Sequence, residues 1–548
     1  MSVKEETKEQ VKTRHTKLRD YNSSMAFIVR PKKASFIKVR FLIAIMATLC
    51  PIVCYISRQN LSLAMVAMIE DSSSIQPKNN SISNSSTLDQ EDFNTCPAPT
   101  IMGLDGKEEL APKAESYGPK YGWDSSERSF IFESFFWTYV VFQIPGARVA
   151  EIVGAKWILA IAGVGSSILS LIAPSVASLG PYAFALTRAL MGICQTALYP
   201  ACYVLYSHWF PPTERSQLLP ALGAGAYIGS IITSTATGYF SEQESLGWEY
   251  AFYMPSVICA IWSIIWILIG ASKPREHAFI SLEEISSIEF RMELSQTCTG
   301  LKKSPSWRKI ATSQHIWTFA TAFLASSWSF SIVLLLLPSY LNYVLHISPL
   351  KNGLINSVIY ILFCISSPIV GAVSTLMIET RPFGLTRLQT RKLFECTALF
   401  SQAVGFVLLP LIGCDQILVL GVLYTMIVLY SGINGGEVQL PSELSLDFTG
   451  TIYAIGNCVG SSTGFIVPRV HSLIVSNLSD IDQWNIYFYF AAAVTFIGGA
   501  IFLIFGKNDL QDFSKDSGES QLDAYQMSTD RGYDSGSMEK PKEKQIVI

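Results

Sequence analysis

The 548-residue sequence carries little charge for its length. Asp, Glu, Lys and Arg make up only 15% of it, whereas a soluble domain carries about 25%. The charges collect in the two tails and in a few loops, which leaves long stretches with almost none. This scarcity argues against a soluble protein. The net charge of −3, without any basic patch interleaved with aromatic residues, also gives no reason to expect a nucleic-acid partner.

Motifs that carry chemistry are missing as well. The 11 cysteines and 6 histidines form no CxxC pair and no Cys/His group at metal-ligand spacing, so we expect no metal site and no cofactor. The sequence contains no Ser/His/Asp, Cys/His, P-loop or paired-carboxylate arrangement at catalytic spacing. We therefore expect no catalytic residues and predict that the protein is not an enzyme.

The sequence also lacks a cleavable signal peptide, because residues 1–40 are polar, with 11 Lys and Arg against 4 Asp and Glu. We expect them to form a disordered cytosolic tail and the first membrane span to act as the targeting signal. The loop 69–128 is acidic and carries sequons at Asn79 and Asn84. Such a loop is typical of a glycosylated lumenal or extracellular segment. Both termini are then predicted to be cytosolic.

Apolar runs long enough to cross a hydrocarbon core of about 30 Å fill the rest of the chain. They predict an all-α polytopic membrane protein with 12 transmembrane helices in two pseudo-symmetric six-helix bundles, 41–271 and 315–506. Between the bundles lies a cytosolic linker, 272–314, with a short amphipathic helix, and 507–548 is predicted to be a disordered cytosolic tail. This layout is typical of the major facilitator superfamily. The predicted spans are 41–68, 129–150, 157–177, 182–206, 218–240, 250–270, 316–344, 353–377, 393–412, 417–438, 449–474 and 486–506.

Two arginines inside predicted spans are the first candidates for a binding site. Arg58 lies ten residues before the lumenal end of the first span, and Arg188 lies about seven residues into the fourth, which runs the opposite way. At 1.5 Å per residue both are about 10–15 Å from the same face. Arginine keeps its charge and binds carboxylate or phosphate with two parallel hydrogen bonds, so the pair suits a small anion. The alternative is that each is a strut between helices.

Four further residues are weaker candidates for substrate contacts. Gln195 lies two turns below Arg188 on the same helix face, and Asn60 follows Arg58 closely. Either amide could instead pack helices together. Tyr203 and Trp328 could wall a cavity, although core packing is the more common use of a single aromatic residue.

Two carboxylates inside the predicted spans have different expected roles. Glu133, near the lumenal start of the second span, is a candidate proton site, with exposure to a vestibule as the alternative. Glu437, near the cytosolic end of the tenth span, is expected to reach the membrane surface.

Two charged turns on the cytosolic side are candidates for conformational gating. The turn at 145–156 combines glycines with charges, and the turn at 209–216 contains two prolines and two charges. Such turns can lock neighbouring helix ends in one state and release them in another. The predicted gating residues are Gly146, Glu151, Gly154, Lys156, Glu214 and Arg215.

Several motifs together resemble the anion-transporter family of sialin, the vesicular glutamate transporters and the type I sodium–phosphate cotransporters. They include RQNLSLA at 58–64, SFFWTY at 134–139, QIPG at 143–146 and WFPPTERS at 209–216. The resemblance runs from about residue 40 to 506 outside the lumenal loop. It implies transport of an organic or inorganic anion, with Arg58 and Arg188 on the substrate side.

The chain also departs from that family's pattern. Gln195 replaces a glutamate that sialin and the glutamate transporters carry, Tyr203 replaces a histidine, and Ser326 replaces an arginine of the glutamate transporters. Because Gln195 cannot bind and release a proton, proton coupling of the sialin type is open to question. The resemblance therefore predicts a divergent member whose substrate the sequence does not name.

The leading hypothesis is an alternating-access symporter for a carboxylate or phosphate, coupled to H⁺ or Na⁺. The alternatives are an uncoupled or potential-driven uniporter or exchanger, and a transport-dead sensor. The protein is predicted to act as a monomer in the lipid bilayer of the plasma membrane or of a lysosome or vesicle. Whether Cys96 and Cys414 pair is left open.

Overall fold

The computed structural model describes most of the chain between the two tails. The described residues are 38–69, 95–97, 100–102, 108–110, 116–296, 306–445, 448–511 and 513. The bulk of both predicted tails and the sequons at Asn79 and Asn84 lie outside these residues, so the predictions made for them stay predictions.

Twelve long helical segments, called spans 1–12 here, follow one another along the described chain. Spans 1–6 are Val39–Met68, Ser125–Val153, Ala155–Ala177, Pro181–Trp209, Pro212–Glu242 and Tyr250–Ile269. Spans 7–12 are Gln314–Val344, Pro349–Thr380, Arg387–Ile412, Gln416–Asn434, Thr449–Ile474 and Ile481–Phe505. Nine of them are long and apolar enough to cross a membrane. The predicted all-α membrane fold is confirmed.

The three spans that are less apolar are spans 2, 5 and 11. Span 2 packs against span 11 and span 5 against span 8, so all three lie where the two bundles meet. Helices at such an interface need small and polar side chains for close approach and for hydrogen bonds between the bundles. Their position therefore explains their lower hydropathy.

Two spans are interrupted near their middle. Span 4 consists of Pro181–Gln195 and Leu198–Trp209 with a turn between them. Span 7 changes from α-helix at Gln314–Ser331 to π-helical turns at Ile332–Leu336 and Tyr340–Val344, on either side of Leu337–Ser339. Pro338 has no N–H to donate, which weakens the regular α-helical ladder there.

Short elements complete the described chain. A two-stranded antiparallel hairpin in the loop after span 1 pairs Thr100–Met102 with Glu108–Leu110. The short helices are Pro274–Glu276, Leu282–Gln296, Trp307–Thr312, Pro382–Gly384 and Leu440–Leu444, and span 10 closes with the 3₁₀ turn Ser431–Asn434.

The linker helix Leu282–Gln296 is bound to the first bundle through charged groups. The Glu284 carboxylate accepts hydrogen bonds from the backbone N–H groups of Val39 and Arg40 at 3.1 and 3.0 Å. Those are free donors at the start of span 1, where a negative charge is favourable. Glu214 accepts from Arg40 at 3.1 Å and from Arg291 at 2.6 Å.

A disulfide joins Cys96 to Cys414, with a Cα–Cα distance of 5.6 Å. Cys96 belongs to the long loop after span 1, and Cys414 to the turn between spans 9 and 10. The bond therefore ties a loop of the first bundle covalently to the second bundle. We call this face of the molecule the disulfide side and the opposite face, which carries Leu282–Gln296, the linker side.

Direct contacts close the interface between the bundles on the disulfide side. The Ser129 hydroxyl donates to the Pro468 carbonyl at 2.9 Å, and the Ser125 hydroxyl to the Val475 carbonyl at 3.0 Å. The Trp137 ring of span 2 stacks on the Phe465 ring of span 11, with centroids 4.1 Å apart. Serine hydroxyls and stacked rings let spans 2 and 11 pack closely here.

The disulfide predicts a simple behaviour on gels. With a protease site inserted at 297–305 in the linker and then cleaved, the two halves should migrate together under denaturing, non-reducing conditions and separate after reduction. Cys96→Ser should separate the halves without reductant, while Cys458→Ser, which changes a free cysteine, should not. Separation of the wild-type halves without reductant would contradict the pairing.

Candidate functional site

Arg188 lies inside the first bundle with 2% of its surface exposed. Its Nη1 donates to the Ser57 carbonyl at 3.3 Å, and its Nη2 to Asn60 Oδ1 at 3.5 Å. The guanidinium carbon is 4.9 Å from the ring centroid of Phe252 and 5.4 Å from that of Phe184. Among the described residues no carboxylate pairs with it, and its Nε has no hydrogen-bond partner. Neutral groups therefore hold the guanidinium in place, and no described carboxylate neutralises its charge.

Asn60 and Gln195 support this arrangement from inside the bundle. Asn60 donates to the Ala251 carbonyl of span 6 at 2.8 Å while it accepts from Arg188. Gln195 donates to the hydroxyls of Ser166 at 2.8 Å and Ser57 at 3.3 Å. Both amides therefore link neighbouring spans, which agrees with the alternative that they pack helices together. Asn60 also holds one end of the guanidinium of Arg188.

Arg58 lies among aromatic rings. Its guanidinium carbon is 4.5 Å from the ring centroid of Phe135, 4.9 Å from that of Phe136 and 5.1 Å from those of Tyr55 and Tyr139. Such cation–π contacts stabilise a charge without cancelling it. No described carboxylate forms an ion pair with Arg58. The group keeps its capacity to bind an anion.

Both arginines line one cavity. The spans that supply its walls are 1, 2, 4 and 7, so the cavity lies between the two bundles. Two unneutralised cations beside apolar walls are groups with which an anion would form charge-assisted hydrogen bonds in a low-dielectric setting. The lining residues are Arg58, Gln59, Leu61, Ser62, Phe132, Phe135, Phe136, Arg188 and Leu335.

The two aromatic candidates lie outside this cavity. Tyr203 is 42% exposed and lies further toward the linker side, near Tyr453 of span 11. Trp328 is buried in the second bundle and packs against Phe490 of span 12 at 5.7 Å. The position of Trp328 favours core packing, and that of Tyr203 favours a wall nearer the linker side.

Glu133 forms an ion pair across the two bundles. Its Oε2 accepts a hydrogen bond from Arg469 Nη2 at 3.0 Å, and its Oε1 lies 3.0 Å from Arg469 Nε. Its side chain is only 3% exposed, against 44% for Arg469. An ion pair with one buried member contributes more to stability than a fully exposed pair does. Glu133 therefore holds spans 2 and 11 together on the disulfide side.

The predicted gating residues lie on the linker side. The turn predicted at 145–156 is wrong for most of its length, because span 2 stays helical to Val153 and Gly146 lies inside it. Gly146 is packed against span 4, where an added Cβ would lie 3.0 Å from the Ala197 Cβ. Gly154 has a φ of 97°, which favours glycine, and separates spans 2 and 3. The backbone N–H of Lys156 donates to the Ser272 hydroxyl at 3.0 Å. Glu214 binds Arg40 and Arg291, as described above.

The side chains of Glu151 and Arg215 lie outside the described residues. The contacts of the other four gating candidates tie elements of the first bundle and the linker to one another. A gating role for these residues stays a prediction.

Sequence reasoning missed a cluster of charged groups in the second bundle. Glu437 was expected at the membrane surface, but this expectation is wrong: it is 2% exposed, near the fully buried Glu395. Arg391 and Glu443 form a buried ion pair at 2.7 Å. The predicted ninth span began at 393, which left Arg391 outside it, and the four-residue spacing of Arg391 and Glu395 was the available signal.

These features define a class of membrane protein with two helical bundles around a central cationic cavity. A family model described as Major Facilitator Superfamily matches residues 47–468. The chain belongs to this superfamily. Among solved structures, it is similar to a bacterial homologue of the human lysosomal transporter Spinster in an inward-facing, occupied conformation. The TM-score is 0.61 at 10% identity, covering 85% of this chain and 96% of the other, so that similarity concerns the fold alone.

Curated relatives confirm the resemblance to the sialin, vesicular glutamate transporter and phosphate cotransporter family. Sialin from Homo sapiens is 28% identical over 480 residues, covering 87% of this chain and 90% of sialin. A putative inorganic phosphate cotransporter from Drosophila melanogaster is 27% identical, covering 86% of this chain and 85% of that protein. The low identity agrees with the departures at Gln195, Tyr203 and Ser326.

The Glu133–Arg469 pair predicts a shift in conformation when it is removed. Glu133→Gln should favour opening on the disulfide side by roughly tenfold, since loss of a partly buried ion pair is worth about 1–2 kcal/mol. Distances between spin labels on spans 2 and 11 should report the change.

The exposed Glu244→Gln variant on the same side is the matched control and should leave the distances unchanged. An unchanged distance distribution in Glu133→Gln would show that the pair does not hold this side closed.

Proposed function

We propose that the protein is a secondary transporter that moves a small anion, a carboxylate or a phosphate, by alternating access. The observation that carries the proposal is the cavity between the bundles, lined by Arg58 and Arg188 with no described carboxylate to neutralise either. Membership of the superfamily and the similarity to sialin support it. Arg188 would bind the anion deep in the first bundle, and Arg58 would complete the site from span 1.

The closed interface on the disulfide side supports one half of an alternating-access cycle. Breaking the Glu133–Arg469 pair and the contacts between spans 2 and 11 would open this side to the anion. The disulfide favours an oxidising compartment for it, which agrees with a lumenal or extracellular loop at 69–128. The linker side would then be cytosolic, with both termini. A monomer is sufficient for this cycle, since each bundle pair contains its own site.

Coupling to H⁺ or Na⁺ is the form of transport that we propose. Gln195 supports a second candidate, an uncoupled uniporter or exchanger, because its amide donates to Ser166 and Ser57 in the place where the resemblance expects a titratable glutamate. The two candidates differ in whether an imposed proton or sodium gradient drives accumulation of the anion. A sensor without transport would bind the anion and show no flux.

Removal of either arginine should strongly reduce uptake into proteoliposomes. We expect Arg188→Gln and Arg58→Gln to lower the initial rate at subsaturating substrate by about 10- to 100-fold, because a charge-assisted hydrogen bond is worth about 1.5–3 kcal/mol. Arg188→Lys should recover only part of the rate, because an ammonium lacks the planar fork.

The exposed Arg308→Gln variant is the control for loss of a cationic side chain. Normal uptake by well-folded Arg188→Gln would show that the site is assigned wrongly.

A panel of labelled anions should separate the coupled from the uncoupled mechanism. Sialic acid, glucuronate, aspartate, glutamate, urate and phosphate would each be tested with a proton gradient, a sodium gradient, a membrane potential and none. Accumulation of one anion under a proton or sodium gradient is the expected result. Equal flux with and without ion gradients would support the uniporter, and binding without any flux would support the sensor.

A further inference from the structure

Two carboxylates are buried together in the second bundle, apart from the cavity of the arginines. Glu395 lies on span 9, about 12 Å from its start at 1.5 Å per residue. Glu437 lies just beyond the end of span 10. They are 0% and 2% exposed. Gly436 brings them together, because a Cβ at this position would collide with the Glu395 carboxylate.

Each carboxylate has one satisfied oxygen and one that has no partner. Glu395 Oε2 accepts from the backbone N–H of Glu437 at 2.8 Å, and Glu437 Oε1 accepts from the Ser326 hydroxyl at 2.6 Å. Glu395 Oε1 and Glu437 Oε2 are both buried and have no hydrogen-bond partner. An unpaired buried carboxylate oxygen is unfavourable unless something binds to it.

No described cation neutralises the pair. The nearest guanidinium on span 9, that of Arg391, is committed to Glu443 at 2.7 Å and to the Gly435 carbonyl at 2.8 Å.

The other titratable groups facing the two carboxylates are neutral ones. Tyr430 on span 10 and Tyr453 on span 11 lie near Glu437, and Cys396 lies near Glu395. Two ionised carboxylates without a cation would repel each other in a low-dielectric interior.

We propose that Glu395 and Glu437 form a proton-binding site, in which the pair holds one proton while the disulfide side is closed. The proton converts one carboxylate to a carboxylic acid and removes the repulsion. It also supplies the donor that the unpaired oxygens lack. No other bond forms or breaks.

The groups around the pair favour a proton over a sodium ion. A sodium ion needs several oxygen ligands, but the Ser326 hydroxyl and the Glu437 N–H both direct hydrogens at the carboxylates. Donors of this kind stabilise the one negative charge that remains after a proton is bound. The Ser326 O–H and the Glu437 N–H point their hydrogens toward the carboxylates, so neither presents a lone pair in that direction to a metal cation.

The site is placed to couple a proton to movement of the second bundle. Ser326 belongs to span 7, whose residue Leu335 lines the arginine cavity. Tyr430 of span 10 donates to the Ser326 carbonyl at 3.0 Å. Loss of the proton would change the contacts among spans 7, 9 and 10 together. This coupling role rests on the proposed function, whereas proton binding itself does not.

Infrared spectroscopy of the full-length protein in lipid tests the site with the proton itself as the probe. The wild type should show the carbonyl band of a buried protonated carboxylic acid at neutral pH, with a small shift in D₂O. The double variant Glu395→Gln/Glu437→Gln should lose this band, and the exposed Glu379→Gln control should keep it. Gln preserves an acceptor oxygen at both positions, so the fold should survive.

The single variants keep the test decisive if the double variant does not fold. In Glu395→Gln or Glu437→Gln the remaining carboxylate no longer faces a second one, so its band should disappear at a lower pH than in the wild type. Absence of the band in the wild type, its survival in the double variant, or its loss on adding sodium at neutral pH would each overturn the proposal.

Transport assays then separate this proposal from the proposed function. If wild-type protein moves an anion, the double variant should still carry it down its own gradient but should lose accumulation driven by a proton gradient. Retained proton-driven accumulation would overturn the coupling role. If no anion moves but the infrared band behaves as expected, the proposed function fails and the proton site stands.

Discussion

The arrangement of the first bundle depends on two guanidinium charges that have no carboxylate partner in the described structure. A charge buried without a counter-charge costs several kcal/mol even after local relaxation. Arg188 offsets this cost with a carbonyl, an amide and two aromatic rings, and the half-buried Arg58 lies against four rings. These contacts stabilise the cations only in part. An arriving anion would complete them, which is why the cavity is suited to binding.

Among the described residues, the two bundles differ in the sign of the central charges that lack an ion-pair partner. In the first bundle these are the cations Arg58 and Arg188, because the buried carboxylate Glu133 is paired with Arg469. In the second bundle they are the carboxylates Glu395 and Glu437, because Glu443 is paired with Arg391. A transported anion and a bound proton would therefore occupy different bundles. Span 7 connects the two regions, since its Leu335 lines the cavity and its Ser326 hydroxyl donates a hydrogen bond to Glu437. Its π-helical turns and Pro338 make it the least regular of the spans.

Long apolar runs were enough to predict the membrane fold and to place Arg58 and Arg188 at a similar depth, because depth along antiparallel spans follows from residue counts. Partners across the bundles could not be predicted in this way. The pairing of Glu133 with Arg469 joins positions 336 residues apart, and only tertiary packing brings them together. Glu437 was misplaced because hydropathy locates a residue along the membrane axis but does not show which side of a helix end is buried.

Equilibrium binding of a labelled anion to the purified protein tests the central assignment most directly, since it needs neither a gradient nor a complete transport cycle. For the anion that binds most tightly, one site per chain is predicted, with affinity lost in Arg58→Gln and in Arg188→Gln and unchanged in Arg308→Gln. Added salt should weaken binding only modestly, because the site is largely shielded from solvent. Unaltered affinity in both arginine variants would contradict the account.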